Sequence, residues 1–242
     1  MENIFERTQM LIGSDNLNVL KKSVVAVFGI GGVGGYVAES LVRAGIGKIL
    51  LIDNDKVSVS NINRQIIALH STIDKYKVDV MENRIHDINP KCVVEKYKCF
   101  VLPDTIDNID LNGCDYVVDA IDTISGKIAI IKKCKTQNIK VISSMGTGNK
   151  VDPSAFKITD IFSTKICPLA KVMRKLLKQN NISDLKVLYS IETPSPKSDN
   201  NSNLSPDTPS SISFVPSVAG LMIGAEVVKD LTGFIGQGKN FS

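Results

Sequence analysis

The sequence contains no tryptophan, two histidines and 5% aromatic residues. With so few rings, no platform for stacking nucleic-acid bases is evident. His70 and His86 have no nucleophile partner in sequence, so neither is assigned a catalytic role. The five cysteines (Cys92, Cys99, Cys114, Cys134 and Cys167) are odd in number and form no C-x-x-C pair. This argues against a secreted disulfide scaffold and against a four-cysteine zinc site. Long apolar runs are missing too. The most apolar stretch, 215–228, holds Pro216, Ser217 and Glu226, whereas a bilayer span needs about 20 apolar residues. The start, MENIFERTQML, lacks the basic-then-apolar layout of a signal peptide. Together these absences predict a reduced, cytoplasmic protein with no membrane partner. An excess of one charge is also lacking: 29 basic against 25 acidic residues leave +4. That balance permits a polyanionic partner without demanding one.

What remains is a chain of 242 residues and 26.3 kDa, 43% apolar and 22% charged. A chain of this size buries about 70–75% of its unfolded surface and needs no staple. The first half alternates buried-strand and helix patterns. Ser23–Gly29, Lys48–Ile52, Cys92–Tyr97, Tyr116–Ala120 and Lys140–Ser144 read as strands. Between them, helices are expected over Gly32–Ala44, from a Ser71 or Thr72 cap to Ile88, and over Thr123–Gln137. Such alternation predicts a Rossmann-like, doubly wound, mostly parallel α/β sheet. Beyond Gly146 the pattern changes. A short strand is expected at Phe156–Thr159, a basic helix at Pro168–Gln179, a strand at Leu185–Ser190 and an apolar helix at Ser217–Leu231. Residues 192–211 are rich in Pro, Ser, Asn and Asp and are expected to form a mobile loop. The whole chain, 1–242, reads as one domain. It comprises a helical segment (1–22), a nucleotide-binding core (23–150) and a C-terminal α/β extension (151–242) for substrate and dimer contacts.

Gly29-Ile30-Gly31-Gly32-Val33-Gly34 fits G-x-G-x-x-G between a buried strand and a helix. There, glycines permit a tight turn, close approach of a phosphate and close helix–strand packing. The helix N-terminus supplies free N–H groups for the phosphate. Asp53 ends the next strand, placed to accept hydrogen bonds from ribose hydroxyls. The loop suits NAD or ATP equally, and the residues after Asp53 separate them. Asn54, Asp55, Asn61, Asn63, Arg64 and Gln65 follow closely. A dehydrogenase has no need of that cluster, whereas expelling pyrophosphate calls for cations and a metal. Arg64 and Lys77 are the candidate cations. Asp122, just beyond a strand, is the candidate Mg2+ carboxylate. Each has a plainer reading: Arg64 as a surface arginine, Lys77 as a solvated helix residue, Asp122 as a helix cap, and Asp55 as a loop-structuring residue.

GIGGVGG, followed by IDNDKVSVSNINRQ and Lys77, resembles the adenylating core of the E1-like ThiF/MoeB superfamily. NRQIIALHST, ISSMGTGNKVDP and SFVPSVAG point to its tRNA threonylcarbamoyladenosine dehydratase branch (TcdA, also called CsdL). The likeness runs from ERTQMLIG through RIHDINP and YVVDAIDT over nearly the whole chain. It implies activation of the threonylcarbamoyl carboxylate on adenosine 37 of tRNA by ATP, with ring closure to cyclic t6A on loss of AMP. It further implies that Gly29, Gly31, Gly32 and Gly34 hold the ATP phosphates and Asp53 the ribose. Asn61, Arg64, Gln65 and Lys77 would address the triphosphate, and Asp122 Mg2+. A monovalent cation (Na+ or K+) is compatible. Such cores act as homodimers, which makes Arg7 an arginine finger reaching into the partner. From its sequence setting alone, Arg7 is equally a surface arginine. The C-x-x-C zinc pairs usual in sulfur-carrier activators are missing. This lowers the case for one alternative, adenylation of a ubiquitin-like sulfur carrier. A non-catalytic nucleotide-binding adaptor for a sulfur-relay partner is a further alternative, which would bind ATP without producing AMP. An NAD dehydrogenase ranks last.

Two further features stay open. Cys167 precedes Pro168 at a helix start, where a thiolate is favoured, but internal cyclisation needs no thiol. The other four cysteines read as small core hydrophobes. Lys171, Arg174, Lys175 and Lys178 share one helical face and could grip tRNA phosphates or merely be solvated. Lys132, Lys133 and Lys135 form a weaker cluster of the same kind.

Overall fold

The computed structural model describes residues 4–196 and 208–234. Seven strands form one sheet: β1 (Val24–Phe28), β2 (Lys48–Ile52), β3 (Val93–Tyr97), β4 (Tyr116–Asp119), β5 (Lys140–Ser144), β6 (Phe156–Asp160) and β7 (Lys186–Ser190). Their order is β3-β2-β1-β4-β5-β7-β6. Every pairing is parallel except β6 with β7. Six helices complete the described fold: α1 (Glu6–Lys22), α2 (Gly34–Ala44), α3 (Lys77–Ile88), α4 (Ile124–Thr136), α5 (Pro168–Gln179) and α6 (Phe214–Thr232). The doubly wound expectation therefore holds. Strand order reverses between β1 and β4, and the loops leaving their carboxyl ends diverge there to open a crevice.

Alternate residues of β1 feed two cores, as a strand buried on both faces requires. Val25 and Val27 join the layer of α2, α3 and α6. Ala26 and Phe28 join the layer of α4 and α5. α6 lies so close on α2 that a Cβ on Gly220 would fall 2.4 Å from the Val33 oxygen, and one on Gly224 1.9 Å from Ser40 Oγ. Its far end is tied to the sheet by Asp230, which accepts from Tyr116 Oη (2.6 Å) and Lys186 Nζ (2.6 Å). α1 is bent at Gly13, whose backbone is non-helical (φ 84°).

One helix starts later than its sequence suggests. Ser71 and Thr72 lie in a short 3-10 turn, His70–Thr72. The Thr72 hydroxyl is spent there, donating to the Ile67 and Leu69 carbonyls and accepting from Leu69 N–H. Asp74 then takes a left-handed conformation (φ 64°), which no helix continues through. α3 begins only at Lys77, so Lys77 stands at the mouth of its helix. α6 starts earlier than expected and carries Pro216 in its first turn, where a missing N–H costs nothing. Of the 192–211 segment, 197–207 lie outside the described residues. Both described flanks are hydrogen-bonded: Glu192 accepts from Val151 and Asp152 N–H, and Ser210 N–H donates to Asn149 Oδ1.

A Cβ added to Gly34 would sit 1.7 Å from the Gly29 carbonyl oxygen, and backbone cannot yield as a side chain can. Gly34→Ala is expected to cost about 3 kcal/mol or more, read as a lowered denaturant midpoint. An unchanged midpoint would show that the loop has slack.

Candidate active site

A cleft of about 640 Å³ opens at the carboxyl ends of β1, β2, β4 and β5. The glycine loop forms one wall. Gly29 has a left-handed φ of 85°, and a Cβ there would meet the Ala120 carbonyl oxygen at 2.8 Å, so only glycine fits. Gly31 and Gly32 line the cleft. No side chain caps α2, which leaves backbone N–H groups at its start for an anion. Gly34 does not line the cleft. It is buried against Gly29, so its lack of a side chain serves helix–strand packing.

Asp53, at the end of β2, accepts from Ile30 N–H (2.6 Å) through Oδ2 and from Asp55 N–H (2.8 Å) through Oδ1. Burial pushes its carboxyl above the usual range, against the pull of Lys77 and these two N–H donors. One carboxylate thus clamps the glycine loop to the acidic turn and still has lone pairs for a hydroxyl. Lys77 is buried, not solvated: its side chain is 7% exposed, and Nζ meets Asp55 Oδ2 at 2.7 Å. Its backbone N–H also donates to the Asp55 carbonyl (2.9 Å). Asp55 therefore both shapes its loop and holds the cation at the cleft wall.

Asn61 and Gln65 are buried and Arg64 half-buried, and all three line the cleft. Arg64 Nη1 donates to the Ser60 carbonyl and to Asn63 Oδ1, each at 2.9 Å, so it is no free surface arginine. Burial lowers its pKa from the usual arginine value. Gln65 Oε1 is buried without a hydrogen-bond partner among the described residues, an acceptor at a cleft wall awaiting a donor. Asp122 is exposed in the cleft, just past β4. It does not cap α4, whose N-cap Thr123 sits without any side-chain cap bond. Its hydrogen bond is from Thr123 Oγ1 at 3.4 Å.

Sequence reasoning missed two walls. Ser144, Met145, Gly146, Thr147 and Gly148 follow β5 into the cleft, and Thr208–Ser211 cross it from the far side. Asn149 Oδ1 accepts from Ser210 N–H and Oγ (both 2.8 Å), and Asn63 Nδ2 donates to the Ser211 carbonyl (3.1 Å). These pairs lie 61 and 148 residues apart in the chain, so no local pattern announces them. Cys99 and Phe100 line the cleft as well. Cys99 is thus a wall residue as well as a small hydrophobe, and Phe100, 48% exposed, is a ring at the site that composition concealed.

Other candidates lie elsewhere. Arg7 is exposed on α1, outside the cleft of its own chain. Cys167 is buried in the α4–α5 core layer and does not line the cleft. On α5, Arg174 donates to the Thr164 carbonyl (3.1 Å) and hydroxyl, so it is withdrawn from the basic stripe. Lys171, Lys175 and Lys178 remain exposed.

A crevice at the strand-order reversal, a glycine loop under an uncapped helix, and a clamped acidic turn backed by Arg64 and Lys77 are the parts of an E1-like nucleotide site. The chain belongs to the ThiF family, whose model matches residues 5–241. Within that family it is similar to tRNA threonylcarbamoyladenosine dehydratases. It is 45% identical to the one from Bacillus subtilis (strain 168) over 238 residues, 94% of each chain. The crystal structure of the E. coli enzyme, TcdA, with ATP superposes with a TM-score of 0.86 at 33% identity, covering 95% of this chain and 93% of that one. The AMP complex of the same enzyme gives a TM-score of 0.86 at 32% identity, over 94% and 93%.

Burial sorts the thiols sharply. Cys92, Cys114, Cys134 and Cys167 are buried and Cys99 half-buried at the cleft. Burial pushes Cys92 and Cys114 up to about 11 and Cys134 to about 12. A thiol reagent is expected to label one cysteine in the native protein and five in denaturant, with ATP slowing the native reaction. Two or more fast native thiols, or no protection by ATP, would remove Cys99 from the nucleotide wall.

Proposed function

We propose that the protein is an ATP-dependent tRNA threonylcarbamoyladenosine dehydratase. The observation that carries the reading is the convergence of Gly31, Asp53, Asn61, Arg64, Gln65, Lys77 and Asp122 on one cleft, in a chain 45% identical to an enzyme of that name. The carboxylate of the threonylcarbamoyl group attacks the α-phosphorus of ATP, and pyrophosphate leaves. The neighbouring carbamoyl group then attacks the activated carbonyl, and AMP leaves. The RNA loses one water overall.

The chain's own contribution is placement and charge. The glycine loop's N–H groups and the uncapped start of α2 receive phosphate. Asp53 receives the ribose, and Gln65 Oε1 gains the donor it lacks. Arg64 and Lys77 stabilise charge growing on the leaving phosphates. Mg2+ supplies Lewis-acid neutralisation of those phosphates. Among the described residues, no cluster of three or more His, Cys, Asp or Glu could hold an ion alone. That fits a Mg2+ held by one carboxylate, Asp122, together with substrate phosphates and water.

A homodimer fits the surface of α1. Arg7, Met10 and Leu11 stand at i, i+3 and i+4, so they share a face. Met10 and Leu11 are 81% and 74% exposed, which a second copy would cover while receiving Arg7 as a finger. For the tRNA, Lys171, Lys175 and Lys178 recur on the exposed face of α5, a helix without an acidic residue. Leu169, on the same helix, lines the cleft.

Incubation with ATP, Mg2+ and t6A-bearing tRNA, followed by mass spectrometry of the nucleosides, is expected to show loss of one water from t6A. Intact t6A with no pyrophosphate released would sink the reading. Arg64→Ala is expected to lower ATP–pyrophosphate exchange about 100-fold while leaving the thermal transition in place. Near-normal exchange removes its role. Replacing Lys171, Lys175 and Lys178 with Ala is expected to raise KM for tRNA and to flatten its salt dependence, the log–log slope falling by about 0.7–0.9 for each phosphate no longer gripped. An unchanged KM leaves α5 as scaffold.

A further inference from the structure

Beneath the cleft floor lies an ion pair that the chemistry above does not use. Lys127, on the first turn of α4, and Asp119, the last residue of β4, are both 0% exposed. Lys127 Nζ lies 3.2 and 3.1 Å from the two Asp119 oxygens, 3.3 Å from Ser143 Oγ and 2.8 Å from the Ser144 carbonyl oxygen. Ser143 Oγ donates to Asp119 Oδ2 at 2.5 Å, and Ile121 N–H donates to Asp119 Oδ1 at 3.3 Å. The ammonium's donors are all used, and both carboxylate oxygens are bonded.

Such a pair is a poor means of gaining stability, since two charges must be stripped of water, and well-packed apolar residues often do as well or better. Its placement suggests another purpose. Immediately beyond Asp119 come Ala120, Ile121, Asp122 and Thr123, all lining the cleft. Beyond Ser144 come Met145 to Gly148, which line it too. Lys127 therefore joins three points: the end of β4, the end of β5 and the start of α4, where its own N–H reaches the Thr123 carbonyl (3.0 Å). Asp122 sits between two of these anchors. Among the described residues its own side chain has only the long hydrogen bond from Thr123, so its place in the cleft is set by its flanks.

We propose that Lys127, Asp119 and Ser143 are positioning residues that fix the Asp122 turn and the 145–148 wall for adenylation. They act from below the floor, without touching the nucleotide. Because hydrogen bonds are directional and a buried one left unmade is costly, this bolt holds two loop ends at a set height in a way that apolar packing does not. The proposal rests on the adenylation reading. If that reading fails, the parent protein shows no ATP–pyrophosphate exchange; if only this proposal fails, the parent exchanges and the variants match it.

Lys127→Met alone would strand a buried carboxylate and disturb folding. The test is therefore the paired change Asp119→Leu with Lys127→Met, alongside Ser143→Ala, which keeps the ion pair. The double variant is expected to melt cooperatively and to keep the KM for ATP within about twofold. Its kcat for exchange should fall about tenfold or more, and its half-saturating Mg2+ concentration should rise. Without any ligand, amide hydrogen exchange at Ile121–Thr123 and Met145–Gly148 should accelerate, while the α2–α6 layer stays unchanged. Ser143→Ala should show the same changes at smaller amplitude. Parent-like exchange kinetics, Mg2+ dependence and amide protection in a folded double variant would overturn the proposal. So would a double variant that unfolds beside an unaltered Ser143→Ala, since the network would then be structural alone.

Discussion

A single carboxylate holds the cleft in shape. Asp53 grips the Ile30 N–H of the glycine loop with one oxygen and the Asp55 N–H of the acidic turn with the other. Two loops that belong to different βα units therefore keep a constant separation. The cleft walls are set by that spacing: Asp55 holds Lys77 against one wall, and a Cβ on Gly31 would already stand in contact, 3.8 Å, with Gln65 Nε2. Loss of solvent around Asp53 pushes its carboxyl above the usual range. A half-buried carboxylate that binds two backbone N–H groups is a strong constraint on geometry, because a drift of either donor costs one of its oxygens that hydrogen bond.

The sheet supplies the frame for this clamp. Parallel strands end together at one edge, and the reversal between β1 and β4 spreads their loops apart. β6 runs antiparallel at the outer edge, far from the reversal. No described helix is long and apolar enough to cross a membrane. The apolar character of α6 is instead explained by its burial against α2 and the sheet.

The fold was legible because buried parallel strands write continuous apolar runs, and the glycine loop follows one of them. Asp53 and Asp122 were legible because each lies just past a strand end, whereas Arg64 and Lys77 stood out as cations in the polar stretch that follows the Asp53 turn. Three things were not. The start of α3 was hidden because Thr72 has the chemistry of a cap and uses it in a tighter turn. Gly34 is not among them: the motif's geometry already gives it close helix–strand packing, and the Gly29 carbonyl oxygen beside it agrees. The walls at 145–149 and 208–211 meet through Asn149 and Asn63 across the chain, and periodicity carries no record of pairings at such separations. Asp119 and Lys127 were silent for a related reason: in sequence they look like a strand end and a helix lysine, and only burial reveals a pair.

The seating of α6 has a consequence for how this scaffold tolerates change in length. Gly220 and Gly224 admit no side chain against α2, so the helix cannot slide or turn in its groove. Pro216, one turn earlier, stands where a Cβ on Gly32 would come within 3.2 Å of it. The helix is a rigid strut footed on the phosphate loop. Adding one residue inside it would rotate the strut by about 100° and drive its foot into the loop. The same residue added at Gly113, a turn glycine with open space around it, would be absorbed locally.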